Sequence, residues 1–293
     1  MKNLNFKNLV ITGSILLLSA ICSDGNSQKK SDKSPVQGGV KLEYNYPEGK
    51  VFKYVSDTRI VEDMDINGQS MLVNVAMYMG CQIKSAGKQA ENLKLEITID
   101  TMAQNVESPQ GIAGGPIVDV KGKAFNIIIT PAGKSVDLTE ASKIVYTMEG
   151  SGENNLSQTF LNYFPSLPAG EVKPGDTWVT NDTIDSKSPT NTMWMPVEST
   201  YKFEGVEVVD DIECAKITST LSGSRKMVTQ SQGMEIHTSG PFTGTQEVLF
   251  AVKLGYLVKE TVTTKMTGNI EITDQSMSFP VVMNITSTNG IVK

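Results

Sequence analysis

The chain is poor in the residues on which most enzymatic chemistry depends. It holds one histidine, three cysteines and two tryptophans, and aromatic residues make up 6% of its 293 positions. A catalytic nucleophile needs a base beside it. The only histidine, His237, lies in the polar run Glu235-Ile236-His237-Thr238, and no Gly-x-Ser-x-Gly elbow accompanies it. It reads as a surface histidine on a strand. Carboxylates are plentiful, so the existence of some acidic pair says nothing about glycoside hydrolysis, and aromatic platforms for sugars are scarce. Residues 111–115 are Gly-rich but lack the Gly-Lys-Ser/Thr ending of a phosphate loop. Asp63-x-Asp65-x-Asn67-Gly68 copies the opening of a calcium loop, but the twelfth position is Asn74 where that loop needs Glu, and the flanks read as strands. With 26 basic against 32 acidic residues and a net charge of −6, no basic patch invites nucleic acid or an anionic lipid surface. These absences predict a non-catalytic protein without metal or cofactor. A hydrolase lacking any recognisable motif is the weaker alternative.

The N-terminus carries the clearest positive signal. Lys2 and Lys7 precede a mostly apolar run over residues 9–21. That run is too short to span a bilayer, which takes about 20 apolar residues, and it fits the core of a secretory signal. It ends at Leu18-Ser19-Ala20-Ile21-Cys22. The stretch resembles a bacterial lipoprotein signal, with Ile21 standing where Gly, Ala or Ser is usual. The resemblance implies cleavage before Cys22, a diacylglycerol on its thiol, and export, with Ser23 pointing to the outer membrane. The membrane is then a partner through that lipid. After the signal at residues 1–21, residues 22–39 are dominated by Ser, Lys, Asp, Gln and Gly and read as a disordered tether.

The remainder reads as strands. In residues 69–83, Met71, Val73, Val75, Met77, Met79, Cys81 and Ile83 occupy every odd position, and in residues 51–66 Phe52, Tyr54 and Ile60 fall on even ones. Period 2 marks strands with one buried face, and Asn67-Gly68 between them is a strong hairpin signal. Leu93, Leu95, Ile97 and Ile99 continue the meander, and residues 109–116 read as a loop. In the second half, residues 177–184, 197–209, 212–221, 244–252, 255–266 and 277–287 read as strands, with Asp210-Asp211 and Leu254-Gly255 as turns. Pro280 cannot donate to a ladder, so its strand is expected at an edge or a bulge there. Cys81 and Cys214 are expected as two buried thiols, not a disulfide.

Residues 139–148 and 154–164 show helical spacing, with Leu156, Phe160, Leu161 and Phe164 on one side and Pro165 closing the run. This divides the folded part into an N-terminal β half at residues 40–138, a helical connector at residues 139–168 and a C-terminal β half at residues 169–293. The halves share landmarks. Gly49 and Gly175 each lie three residues before an aromatic, Phe52 or Trp178, and Gly133-x-x-Val136 is matched by Gly255-x-x-Val258. The expected fold is mainly β, with antiparallel meander sheets in two similar halves that form open half-barrels, joined by the short helical segment.

Tyr44 to Tyr54 with Gly49, then Thr130-Pro131-Ala132-Gly133-Lys134, then Phe164-Pro165-Ser166-Leu167-Pro168 leading to Lys173-Pro174-Gly175-Asp176-Thr177-Trp178, resemble a family of bacterial lipoproteins whose domain has no known function. The resemblance spans roughly residues 40 to 290 and carries no catalytic position. More loosely, a long meander with helices behind a lipid anchor is similar to lipoprotein carriers of the LolA type, unclosed barrels that hold acyl chains; this is analogy of fold alone. Under that analogy the methionines Met71, Met77 and Met79 become candidate contacts for an apolar ligand, since methionine adapts its shape. Trp194, in Thr192-Met193-Trp194-Met195-Pro196, joins them, although burial in the core is the plainer expectation for all four. The competing reading is a structural or interaction domain that docks an envelope protein.

Overall fold

The computed structural model describes residues 39–292 apart from residues 67, 149–151, 189 and 232. The signal, Cys22 and nearly all of the tether lie outside the described residues, as does Asn67 of the first hairpin. The elements in chain order are β1 (Val40–Lys41), β2 (Val51–Ile66), β3 (Gln69–Gln89), β4 (Asn92–Ser108), β5 (Gly111–Pro116), β6 (Ala124–Ile129), β7 (Ser135–Asp137), α1 (Thr139–Ser142), β8 (Val145–Met148), β9 (Gly152–Asn155) and α2 (Leu156–Phe160). There follow β10 (Glu171–Val172), β11 (Thr177–Lys187), β12 (Asn191–Val209), β13 (Ile212–Ser231), β14 (Met234–Ala251), β15 (Tyr256–Ile272) and β16 (Met277–Val292).

Alternating apolar residues became strands with one buried face. β2 buries every even position from Phe52 to Met64 while its odd positions are exposed or half-buried. Two long meanders form, β2-β3-β4 and β11 to β16, and β16 pairs antiparallel with β2, with Ile285 opposite Ile60. Both halves of the sequence therefore enter one antiparallel sheet of 12 strands, ordered β11-β12-β13-β14-β15-β16-β2-β3-β4-β6-β7, with β5 on β4. Its ends, β11 and β7, do not pair with each other among the described residues, so the barrel is not closed. Two small ribbons, β1-β10 and β8-β9, stand apart from it.

Three expectations are corrected. Residues 109–116 are not all loop, because β5 pairs with β4 from Ala103 opposite Pro116 to Ser108 opposite Gly111. The helical connector keeps only two short helices; the β8-β9 ribbon lies between them, and residues 161–168 after α2 are turn and irregular structure. The ribbon is tied to the β11–β12 turn: the Ser188 and Thr190 hydroxyls both donate to the Glu153 carbonyl, at 3.1 and 3.0 Å. Finally, β13 runs on to Ser231 and β14 already starts at Met234, so both extend into residues 222–243, where no strand was expected. Pro280 departs from expectation as well: β16 lies between β15 and β2 and so is not an edge strand, and its ladder with β15 shows no bulge there. It pairs with Asn269 of β15, and the β2 ladder begins only at Val281, so the missing N–H falls where β16 has a partner on one side.

The sheet's concave face folds around the connector. Phe160, Tyr163 and Phe164 enter it, and Phe160 meets Phe125 with ring centroids 5.3 Å apart. The Tyr163 hydroxyl donates to Asn289 Oδ1 at 3.1 Å and lies 3.4 Å from the Cys81 sulfur. Cys81 and Cys214 are both free thiols, and burial pushes Cys81 up to about 12. The extended run 42–46 lies between the two turns that the sequence pairs. Tyr44 N–H donates to the Pro131 carbonyl at 2.8 Å, and Asn45 N–H to the Gly255 carbonyl at 2.7 Å. Gly133 is required here: at φ +90°, a Cβ would lie 2.6 Å from the Tyr44 ring and 2.7 Å from the Pro165 carbonyl oxygen.

Candidate functional site

β10 and β11 follow one another across the tight turn at residues 173–176. Asp176 fixes that turn, its N–H donating to the Lys173 carbonyl at 2.9 Å and its Oδ2 accepting from Lys173 N–H at 2.8 Å. Such a turn ordinarily joins paired strands. Here the two arms diverge, β10 pairing with β1 and β11 with β12. Between the arms opens a groove of about 780 Å³, within the usual range for ligand pockets. One wall comes from residues 167–172 and the other from residues 175–180. Thr177, Trp178, Val179 and Thr180 all line it. Successive strand residues point to opposite faces, so a cavity that touches four in a row lies along the strand's edge. Its charged lining residues are Glu171 and Asp176, and no Lys or Arg is among them.

Behind the groove a polar line leads inward. The Trp178 ring stacks on Tyr201 at 5.2 Å with 7° between planes. The indole Nε1 is buried and makes no hydrogen bond among the described residues. Further in, the Ser219 hydroxyl donates to Gln246 Oε1 at 2.9 Å, and Gln246 Nε2 donates to Glu260 Oε1 at 2.7 Å. Burial pushes the Glu260 carboxyl up to about 8, against the Gln246 hydrogen bond, which lowers it.

A second carboxyl, Glu62 on β2, is completely buried, and neither oxygen has a hydrogen-bond partner among the described residues. Burial raises it to about 8, and the Arg225 charge acts in the opposite sense. Arg225 itself is buried on β13, its Nη2 lies 3.0 Å from the Met227 sulfur, and burial lowers it to about 10. Its cross-strand neighbour is Gly240, and the backbone there crowds Gly268 so closely that a Cβ on Gly240 would sit 2.7 Å from the Gly268 Cα. The two glycines leave the strands beside Arg225 without side chains at these positions. Neither Glu62 nor Glu260 lines the groove.

The residues singled out from sequence are dispersed. Met79 is buried in the core on β3, while Met71 and Met77 are half-buried and pack against it. Trp194 lies far along the sheet on β12 and is 44% exposed, with the Lys226 ammonium 5.6 Å from its ring centroid. The structure therefore does not join it to the methionines. His237 sits half-exposed on β14, its Nε2 2.6 Å from Glu235 Oε1. Asp63 accepts from the Ser70 hydroxyl at 2.6 Å and Asp65 from Gly68 N–H at 2.7 Å, so both carboxylates serve the hairpin turn. Among the described residues no three His, Cys, Asp or Glu side chains are grouped to hold a metal. Sequence reasoning missed Glu62, Arg225, Glu260 and the role of Trp178. One signal was present: Glu62 shares the even register of Phe52, Tyr54, Ile60 and Met64, which places an acid on a buried face.

No family model and no curated protein matches the chain. Among solved structures it is similar to DynF of the dynemicin biosynthesis pathway of Micromonospora chersina, 6% identical over 94% of this chain and 96% of that one, with a TM-score of 0.23. A protein of Bacteroides fragilis with a YmcC-like fold, thought to be exported, is 9% identical over 86% and 99%, with a TM-score of 0.22. A lipoprotein candidate of Parabacteroides distasonis is 11% identical over 86% and 98%, with a TM-score of 0.26. Scores this low assign neither a family nor an activity to the chain.

Proposed function

We propose that the protein is an exported, lipid-anchored and non-catalytic binding protein of the cell envelope, and that its ligand engages the groove beside β11. The anchor rests on Cys22 at the end of the apolar leader. The binding role rests on one observation: two consecutive arms of the chain, β10 and β11, are held apart across a fixed turn and enclose about 780 Å³. A hydrolase would place its perturbed carboxyls in the cleft, whereas Glu62 and Glu260 lie outside the lining.

The test uses the chain with Cys22→Ser, purified from its own envelope fraction, in native mass spectrometry followed by solvent extraction. Trp178 reports on the groove once Trp194→Phe silences the other indole. A retained adduct whose removal changes Trp178 emission supports the reading. A bare mass, with Trp178 emission indifferent to envelope extracts, sinks it.

A further inference from the structure

We infer that the groove is a slot for one extended strand, and that its occupant is a polypeptide segment bearing lysine or arginine, added to the free edge of β11. The inference rests on the groove being the binding site proposed above. It follows from four features of the same place.

The first is the edge. Among the described residues β11 ends the sheet and pairs with a strand on one side only over its 11 residues, with Gln158 of α2 donating to the Ser186 hydroxyl at 2.9 Å near its end. The opposite end, β7, has three residues. A strand edge offers a row of unpaired N–H and C=O groups, and proteins usually blunt it with proline, lysine or a bulge. β11 contains no proline, its only lysine is the terminal Lys187, and its ladder with β12 runs without a register shift.

The second is the shape. The groove is lined by four consecutive residues of β11, whose side chains leave the strand on alternate faces, Trp178 and Thr180 on one and Thr177 and Val179 on the other. Only a cavity lying where the next strand would lie can do this.

The third is the far wall. β10 carries β1 on its other side, with Val40 opposite Val172 and Lys41 opposite Glu171. A strand placed between the arms would meet extended main chain on both sides. Strand addition draws affinity from such main-chain bonds, and specificity from pockets for alternate side chains.

The fourth is charge. Glu171 and Asp176 are the charged residues lining the groove, and the exposed Asp182 and Asp185 add two more acids along β11, against Lys41 opposite Glu171 and Lys187 at the strand's end. An acidic segment would meet repulsion over this length and a basic one attraction.

The chain with Cys22→Ser and Trp194→Phe is titrated with two eight-residue peptides, alternating Val-Lys and alternating Val-Glu. Trp178 emission and amide hydrogen exchange across residues 177–187 are recorded. The lysine peptide is expected to slow β11 exchange at least tenfold and to bind at least tenfold more tightly than its acidic counterpart. Glu171→Lys, at an exposed position, should remove that preference. The proposal is overturned if the lysine peptide leaves β11 exchange unchanged, or if both peptides bind alike. A monoacylglycerol that shifts Trp178 emission without protecting β11 would also overturn it, while leaving the groove a binding site. Indifference of Trp178 to peptides and lipid together would remove both readings.

Discussion

Arg225 on β13 and Glu62 on β2 are separated by three intervening strands, yet the charge of one acts on the carboxyl of the other. Gly240 and Gly268, on two of the intervening strands, approach each other closely and place no side chain between the two charged groups' strands.

The first prediction concerns pH. Burial raises Glu62 and Glu260 to about 8 from an ordinary value of 4.5. The folded state therefore holds these protons more tightly than the unfolded chain. Their contribution to stability is complete below pH ~4.5 and is lost as pH rises toward ~8, with a slope of about 1.4 kcal/mol per pH unit for each group. Glu62→Gln keeps a neutral group facing Arg225. It should match the parent in urea unfolding at pH 5 and exceed it at pH 8, and the double change with Glu260→Gln should flatten the profile further. A parent protein that gains stability between pH 5 and 8 would refute the assignment.

A second prediction separates packing from ligand contact at the methionines. Met79 is buried in the core, so Met79→Ala should cost about 2–5 kcal/mol. Trp194→Ala, at an exposed position, should stay within about 0.5 kcal/mol. If Met79→Ala leaves unfolding unchanged but abolishes a co-purified apolar adduct, the methionine face lines a cavity after all.

What the sequence made legible, and what it hid, divides along physical lines. Where one face is apolar and the other wet, as in β2 and β3, alternation alone located strands and buried residues. The duplicated turn glycines were visible too, though not that both would hold the run at 42–46. The far ends of β13 and β14, beyond residue 221 and before residue 244, were hidden because their inward positions include Arg225, Thr229 and Thr238, all buried and none apolar. The short connector misled for a different reason. Helical spacing survives only from Leu156 to Phe160, and tertiary pairing of β8 with β9 overrides it in the residues before α2. The groove was invisible because it depends on two arms failing to pair, and period 2 says nothing about which strands become neighbours.

A third prediction tests the N-terminal clamp. Gly133→Ala brings a methyl group against the Tyr44 ring at a backbone angle that only glycine adopts freely. The expected cost is about 1–3 kcal/mol or more, from overpacking and strain together. Gly49→Ala serves as the comparison, since it shares a positive φ but would meet nothing within 4 Å. The difference between the two in urea unfolding isolates the clash. Equal losses would mean that strain alone matters and that the Tyr44 contact yields.

The last prediction concerns the anchor, on which the proposed location depends. A single acyl chain binds a membrane only marginally and stable attachment takes at least two, which a diacylglycerol on Cys22 provides. Cys22→Ser removes the attachment and should move the protein from the membrane fraction to the soluble fraction of the envelope, with loss of fatty-acid label. The other two cysteines give an internal control. Cys81 and Cys214 are buried and their thiols are raised by that burial, so neither should take label or react with a thiol reagent before unfolding. If the Cys22→Ser chain stays with the membrane, attachment comes from the folded domain instead, and residues 1–22 are then only a leader.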